Sequence, residues 1–87
     1  MSAFIFTRIN VGDYGAWRPM FDKDLPRARE KATEVRVFRA EDDPDHVFIF
    51  LSFGSVEDAS EARDRLVSSG VLERFEDRSG PNVVLEA

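Results

Sequence analysis

The chain has 87 residues, a net charge of −5 and no cysteine. This length suits one domain with a limited core, and the lack of cysteine excludes disulfides and thiolate metal sites. Acidic residues outnumber basic ones by 17 to 12, which disfavours a protein that binds its partner by neutralising phosphates. The start, MSAFIFTRINV, lacks the basic region of a signal peptide, and no segment approaches the length of a membrane span. We therefore expect residues 1–87 to form a single domain in the cytoplasm.

The first half of the chain predicts two strands with a helix between them. Residues 3–11 (AFIFTRINV) alternate in hydrophobicity as a strand does. A stripe of apolar residues at spacings of three and four then predicts a helix; it consists of Tyr14, Trp17, Phe21, Leu25, Ala28 and Ala32. We expect a helix start near Asp13, a kink or restart at Pro19 and a break near Pro26, because proline removes a backbone donor and clashes inside a helix. Residues 34–40 (EVRVFRA) predict the second strand.

The next segments predict a hairpin and a second helix. The acidic turn EDDPD (41–45) joins the second strand to HVFIFLSF (46–53), the most apolar stretch of the chain. Ser55 and Asp58 form a start that resembles a capping box, with Asp in place of the preferred Glu. Gly70 is expected to end this helix, since glycine adopts the left-handed cap conformation without strain.

The end of the chain predicts a short turn and a last strand. Residues 71–77 (VLERFED) read as one further helical turn, anchored by Leu72 and Phe75. Ser79-Gly80-Pro81 is expected to break the chain before a strand over 82–86 (NVVLE). The resulting order, β-α-β-β-α-β, is that of the α+β ferredoxin-like plait, a four-stranded antiparallel sheet with both helices on one face.

Alternation along the strands divides the sheet into two chemically different faces. The face under the helices would collect Ile5, Ile9, Val11, Val35, Val37, Val47, Ile49, Leu51 and Phe53, and Thr7 has the same parity. The opposite face, called here the aromatic face, would collect Phe4, Phe6, Phe38, Phe48 and Phe50, with Arg8, Arg36 and His46 among them. Five uncovered phenylalanines expose more apolar area than a soluble monomer usually tolerates. Covering each ring would contribute about 1.5–3 kcal/mol, so we expect a partner on this face.

Two partners are considered for the aromatic face. The stretch 46–53 partly matches the K/R-G-F/Y-G/A-F-V-x-F/Y motif of RNA-recognition domains; it matches at Phe48, Phe50, Leu51 and Phe53. However, His46 stands where a Lys or Arg would bind phosphate, and the acidic turn lies beside it. A second copy packed sheet to sheet, as a two-fold dimer, fits the composition better. We predict a homodimer, with neither nucleic acid nor membrane as a partner.

Three segments carry a resemblance to a known superfamily. DYGAWRPMFD (13–22), VRVFRAEDDPDHVFIFLSFGSVEDASEA (35–62) and SSGVLERFEDRSGP (68–81) resemble the small cyclase-like proteins of the dimeric α/β-barrel superfamily, which also holds the antibiotic-biosynthesis monooxygenases. The shared points are Asp13-Tyr14, Trp17, Phe21-Asp22, Arg39, Asp42-Asp43-Pro44, Ser69, Leu72 and Gly80-Pro81. The resemblance implies the plait, a homodimer and a ligand cavity between helix and sheet. Its members include cofactor-free oxygenases of polyketide quinols, haem-degrading enzymes and small-molecule isomerases.

Five residues are candidates for ligand binding: Tyr14, Trp17, Arg8, Arg36 and His46. Trp17 and Tyr14 lie on the helical stripe, where they belong either to the core or to the cavity that the resemblance implies. The two arginines are candidates for holding an anionic or enolate oxygen, or for ion pairs across the dimer. His46 is either a general base or a strand-end residue beside an acidic turn.

No metal, haem or other cofactor is expected. The acidic turn lacks the central glycine of a calcium loop, and the second helix lacks the ligand histidine of haem-degrading relatives. No Gly-rich phosphate loop is present. The sequence therefore favours binding of a small hydrophobic or aromatic molecule, in a cyclase-like or accessory role. A cofactor-independent monooxygenase or cyclase acting on a polyketide-like compound is the alternative, and no catalytic residue is assigned.

Overall fold

The chain folds into one antiparallel sheet with its helices on one side. The computed structural model describes residues 2–24 and 27–87. Its elements are β1 (Ala3–Asn10), α1 (Tyr14–Lys23), β2 (Glu34–Arg39), β3 (His46–Phe53), α2 (Val56–Ser69) and β4 (Arg78–Leu85). The four strands stand in the order β2-β3-β1-β4. The structure therefore confirms the ferredoxin-like α+β fold.

Helix α1 begins where the sequence predicts and continues through Pro19. Asp13 caps the helix, and its carboxylate accepts a hydrogen bond from the backbone N–H of Ala16 at 3.2 Å. The expected restart at Pro19 is wrong, because the helix continues through this proline to Lys23. One proline removes only one hydrogen bond of the helix. Trp17 precedes Pro19 and Phe21 follows it, and their two rings stack on each other and pack in the core. The parts of the helix before and after the proline are therefore both held against the core. The expected break at Pro26 lies outside the described residues.

Helix α2 has the predicted caps. The hydroxyl of Ser55 accepts a hydrogen bond from the backbone N–H of Asp58 at 3.1 Å. Gly70 ends the helix with φ 75°, a conformation that favours glycine. After it, residues 71–74 form turns where the sequence predicts one further helical turn over 71–77, and Leu72 and Phe75 pack against the core as expected. Within the described residues, no helix is long and apolar enough to cross a membrane.

The pairing register confirms the two faces of the sheet. Phe6 lies opposite Phe50, and Arg36 lies opposite the same Phe50 from the other side. On the helix side the buried side chains of the sheet are Ile5, Ile9, Val47, Ile49, Leu51 and Phe53. Val35 was expected among them and is not buried, since 41% of its surface is exposed. It belongs to β2, an edge strand, whereas α2 packs over β3, β1 and β4.

Strand β4 begins earlier than the sequence predicts. It runs from Arg78 and includes Ser79, Gly80 and Pro81, which were expected to break the chain. The pairing of β4 with β1 shifts between Phe6 and Arg8, so the extra residues form an irregularity inside the strand. Proline is tolerated here because β4 is an edge strand.

Candidate functional site

A cavity of about 100 Å³ lies between the helices and the buried face of the sheet. Its walls are mostly apolar and include Ile9, Trp17, Phe21, Ile49, Leu51 and Leu66. The rings of Trp17 and Phe21 stack with their centroids 4.8 Å apart, so α1 supplies a flat aromatic wall. This concave, mostly apolar shape is typical of sites for small organic molecules.

The mouth of the cavity is formed by Met20 of α1 and Arg74 of the turn after α2. Both residues line the cavity and also an open groove outside it, as do the rings of Trp17 and Phe75 beside them. Nη2 of Arg74 lies 2.9 Å from the sulfur of Met20, and its guanidinium lies 5.0 Å from the centre of the Phe75 ring. A flexible methionine and a long arginine therefore separate the cavity from solvent, and both can change rotamer to admit a ligand.

Few polar groups reach the cavity wall. Thr7 is only 4% exposed and stands among apolar residues on β1, so its hydroxyl marks the deep, sheet side of the cavity. Asp24 and Arg29 lie at the helix side and pair with each other at 3.5 Å. The carboxylate of Asp24 also accepts hydrogen bonds from the backbone N–H groups of Ala28 and Arg29 at 3.0 and 3.1 Å. The carboxylate of Asp24 therefore already has partners in the segment that follows α1.

The size of the cavity limits what it holds without rearrangement. A dry apolar cavity of about 150 Å³ in another protein accommodates benzene, so about 100 Å³ holds at most one small ring or a short aliphatic body. A polycyclic molecule needs the mouth residues Met20 and Arg74 to move outward. The cavity reaches Trp17, but neither Tyr14 nor His46 lines it.

Arg8, His46 and Asp77 form a polar cluster on the other side of the sheet. Nη1 of Arg8 donates to Nε2 of His46 at 2.8 Å and to the carboxylate of Asp77 at 3.0 Å. The imidazole stacks on Phe48, with centroids 5.1 Å apart. Because arginine is only a donor, Nε2 of His46 must be the acceptor and the ring proton must be on Nδ1. Arg8 and Asp77 thus form an ion pair at the edge of the aromatic face, and His46 is hydrogen-bonded to it through Arg8.

The two remaining candidates, Tyr14 and Arg36, have structural partners of their own. The hydroxyl of Tyr14 accepts a hydrogen bond from Arg18 at 3.2 Å, and the guanidinium of Arg39 lies 3.9 Å from the centre of its ring. The hydrogen bond to Tyr14, followed by that to Asp22, raises the pKa of Arg18. Arg36 is exposed at the edge of the aromatic face, over the ring of Phe38 and 3.5 Å from Glu34.

The candidate residues therefore do not converge on one site. Trp17 lines the cavity, and Tyr14 packs on Trp17 with ring centroids 5.8 Å apart without lining the cavity itself. Arg8 and His46 meet each other on the aromatic face, and Arg36 contacts neither. Sequence reasoning missed the mouth residues and did not single out Thr7. Thr7 had a readable signal, since it is a polar residue between Ile5 and Ile9 on the buried parity of β1. For Arg74 the sequence contains no such signal, because it lies in a turn after α2 whose position beside the cavity depends on the tertiary fold.

The aromatic face carries the rings that the sequence placed there. Four of them partly cover one another: the Phe4 and Phe50 centroids are 5.2 Å apart, and Phe6 lies 5.9 Å from Phe50 and 6.4 Å from Phe48. Phe38 on β2 is 45% exposed, and Val84 adds an exposed apolar side chain on β4. Among the residues that the structure describes, no helix covers the aromatic face.

Solved structures of the same architecture cover nearly the whole chain. A candidate antibiotic biosynthesis monooxygenase from Nitrosomonas europaea superposes with a TM-score of 0.72 at 12% identity, over 98% of this chain and 89% of the other. Rv0793 from Mycobacterium tuberculosis gives 0.71 at 15%, over 100% and 96%. A NIPSNAP family protein of unknown function from Agrobacterium tumefaciens gives 0.65 at 16%, over 99% and 88%.

These likenesses concern the fold. The chain has the fold of these antibiotic-biosynthesis-monooxygenase-like and NIPSNAP proteins, which is the fold that the sequence predicts. No family model matches the sequence, and no curated protein matches it significantly. What the protein binds must therefore be argued from its own residues.

Proposed function

We propose that the protein is a small homodimer that binds a small hydrophobic or aromatic molecule in the cavity between its helices and its sheet. The observation that carries this proposal is the apolar cavity beside Trp17, with Thr7 as a buried polar group in its wall. Binding a single ring there removes apolar ligand surface from water, and each Å² removed contributes about 25 cal/mol to the free energy of binding. A cytoplasmic location stays a prediction.

Dimerisation through the aromatic face is part of the proposal. The face presents five phenylalanine rings on the side of the sheet that no helix covers. Two such faces can pack sheet to sheet around a two-fold axis, because both subunits then contribute the same aromatic surface to the interface. The ion pair of Arg8 with Asp77 would then stand at the rim of the interface.

Binding is supported better than catalysis by the groups near the cavity. A cofactor-independent oxygenase needs a base to withdraw a proton from its substrate. Among the described lining residues the one carboxylate is Asp24, which is held by Arg29 and two backbone N–H groups. His46, the one histidine of the chain, lies on the opposite side of the sheet. A cyclase-like or accessory role is therefore the proposed one, with the monooxygenase as the alternative.

The test of ligand binding uses Trp17, the single tryptophan, as the reporter. Titration with toluene should change the Trp17 fluorescence and raise the melting temperature. Val71→Phe places a ring into the cavity wall and should weaken both effects at least fivefold. Val67→Phe is the matched control, because Val67 is 58% exposed on α2 and is not part of the wall. Equal responses in the two variants, or none in the parent protein, would contradict the proposal.

A further inference from the structure

We infer that the ligand of the cavity is a small aromatic carboxylate whose charge is held by Arg74 at the mouth. This inference rests on the proposed binding function and adds the chemical class of the ligand. It starts from the position of Arg74, which borders both the apolar cavity and the open groove outside it. A ligand whose ring fills the cavity would present its polar end to this side chain.

The contacts of Arg74 leave its guanidinium available to an anion. Within the described part of the chain it makes no salt bridge. Its partners are the sulfur of Met20, 2.9 Å from Nη2, and the ring of Phe75. A thioether is a weak acceptor, whereas a carboxylate accepts two parallel bonds from the guanidinium fork. When a ligand carboxylate takes the place of the Met20 sulfur, Arg74 therefore exchanges a weak hydrogen bond for two strong ones. A neutral ligand does not provide this gain.

The other charges near the cavity point to the same position for the ligand anion. Arg29 is already neutralised by Asp24, so it does not compete with Arg74 for a carboxylate. Beyond the mouth, the open groove is lined by Asp13, Glu76 and Asp77. Asp77 is paired with Arg8, but Asp13 and Glu76 repel an anion that extends past Arg74. The charge pattern therefore favours a carboxylate attached directly to the ring over one on a longer tether.

The buried end of the cavity supplies the second polar contact. Thr7 offers a hydroxyl on the sheet side, remote from solvent. A hydroxyl or carbonyl group on the far side of the ring can exchange a hydrogen bond with it, since a hydroxyl both donates and accepts. A monocyclic acid with a polar substituent opposite its carboxylate, such as 4-hydroxybenzoate, combines both contacts, with its carboxylate outside the cavity at Arg74.

The test compares benzoate with its neutral counterpart benzamide by Trp17 fluorescence. The parent protein should bind benzoate about fivefold to tenfold more tightly, as expected for a charge-assisted pair at a partly exposed site. Arg74→Gln should reduce the ratio of benzoate affinity to benzamide affinity to about one, because a neutral amide offers the carboxylate no charge-assisted pair. Arg63→Gln is the matched control, because Arg63 lies on α2, pairs with the adjacent Asp64 and does not line the cavity; it should keep the preference.

Two results would overturn the inference in distinguishable ways. Equal affinity for benzoate and benzamide in the parent protein, or a benzoate preference that survives Arg74→Gln, removes the role of Arg74 while toluene binding keeps the proposed function intact. Failure of toluene, benzamide and benzoate alike removes the binding function itself, and the ligand class with it. Weaker binding of 3-phenylpropionate than of benzoate is the expected signature of the acidic groove.

Discussion

Nη1 of Arg8 donates a hydrogen bond to Nε2 of His46 across 2.8 Å, from β1 to β3. The same guanidinium nitrogen lies 3.0 Å from a carboxylate oxygen of Asp77. Arginine cannot accept a hydrogen bond, so this contact requires an unprotonated Nε2 and places the imidazole proton on Nδ1. His46 is therefore a structural acceptor at the edge of the aromatic face, and not a base directed at the cavity.

This contact predicts the tautomer of His46. At mildly alkaline pH, two-bond ¹H–¹⁵N correlation spectra should show Nδ1 protonated and Nε2 unprotonated. Arg8→Met removes the donor, and the Nε2–H form should then appear. Arg36→Met is the control, because Arg36 lies on the same face but contacts Phe38 and Glu34 instead. A dominant Nε2–H tautomer in the parent protein would contradict the hydrogen bond.

The aromatic face predicts a dimer whose stability depends on its rings. The parent protein should sediment at about twice the chain mass of 9.9 kDa at micromolar concentration. Phe38→Glu should give a folded monomer, because Phe38 is 45% exposed in the single chain and contributes little to its core. Phe48→Glu should dissociate or unfold the protein, since that ring also packs on Phe6 and His46.

Val67→Glu is the control for these charge insertions, since Val67 is exposed on α2, away from the aromatic face. It should sediment as the parent protein does. A parent protein that is a monomer would remove the explanation of the aromatic face. If that monomer bound single-stranded RNA and Phe48→Glu abolished the binding, the RNA-recognition alternative would replace the dimer.

Gly80 predicts a large difference between two glycine substitutions. A Cβ at position 80 would lie 2.7 Å from the carbonyl oxygen of Phe6, and φ is +93°. Gly80→Ala should therefore destabilise the protein by about 1–3 kcal/mol in urea unfolding. At Gly54 a Cβ meets nothing within 4 Å, so Gly54→Ala should be close to neutral. Equal stabilities of the two variants would show that β4 does not approach β1 as described.

The sequence was sufficient for the faces of the sheet and for the helix caps, because these depend on local rules. Strand alternation separates Phe48 and Phe50 from Val47 and Ile49 whatever the neighbouring strand is. Capping likewise requires only a polar acceptor such as Asp13 three residues before its N–H partner. Both features could be predicted from short stretches of chain.

The errors arose where tertiary context decides. Val35 has the parity of a core residue, but it belongs to an edge strand that the helices do not cover. Ser79, Gly80 and Pro81 have the composition of a turn, yet an edge strand with an irregular register accommodates them. The cavity could not be located for the same reason: its walls come from α1, α2, the sheet and the turn that carries Arg74, which meet only in the folded chain.

The most direct measurement is the set of intermolecular nuclear Overhauser effects between bound toluene and the methyl groups of the protein. The account predicts contacts from the toluene ring to Ile49, Leu51 and Leu66 and to the indole of Trp17, which surround the cavity. These contacts should disappear in Val71→Phe and persist in Val67→Phe. Contacts to Phe38, Phe48 or Val84 on the aromatic face instead, or none at all at saturating toluene, would contradict the claim that the cavity is the binding site.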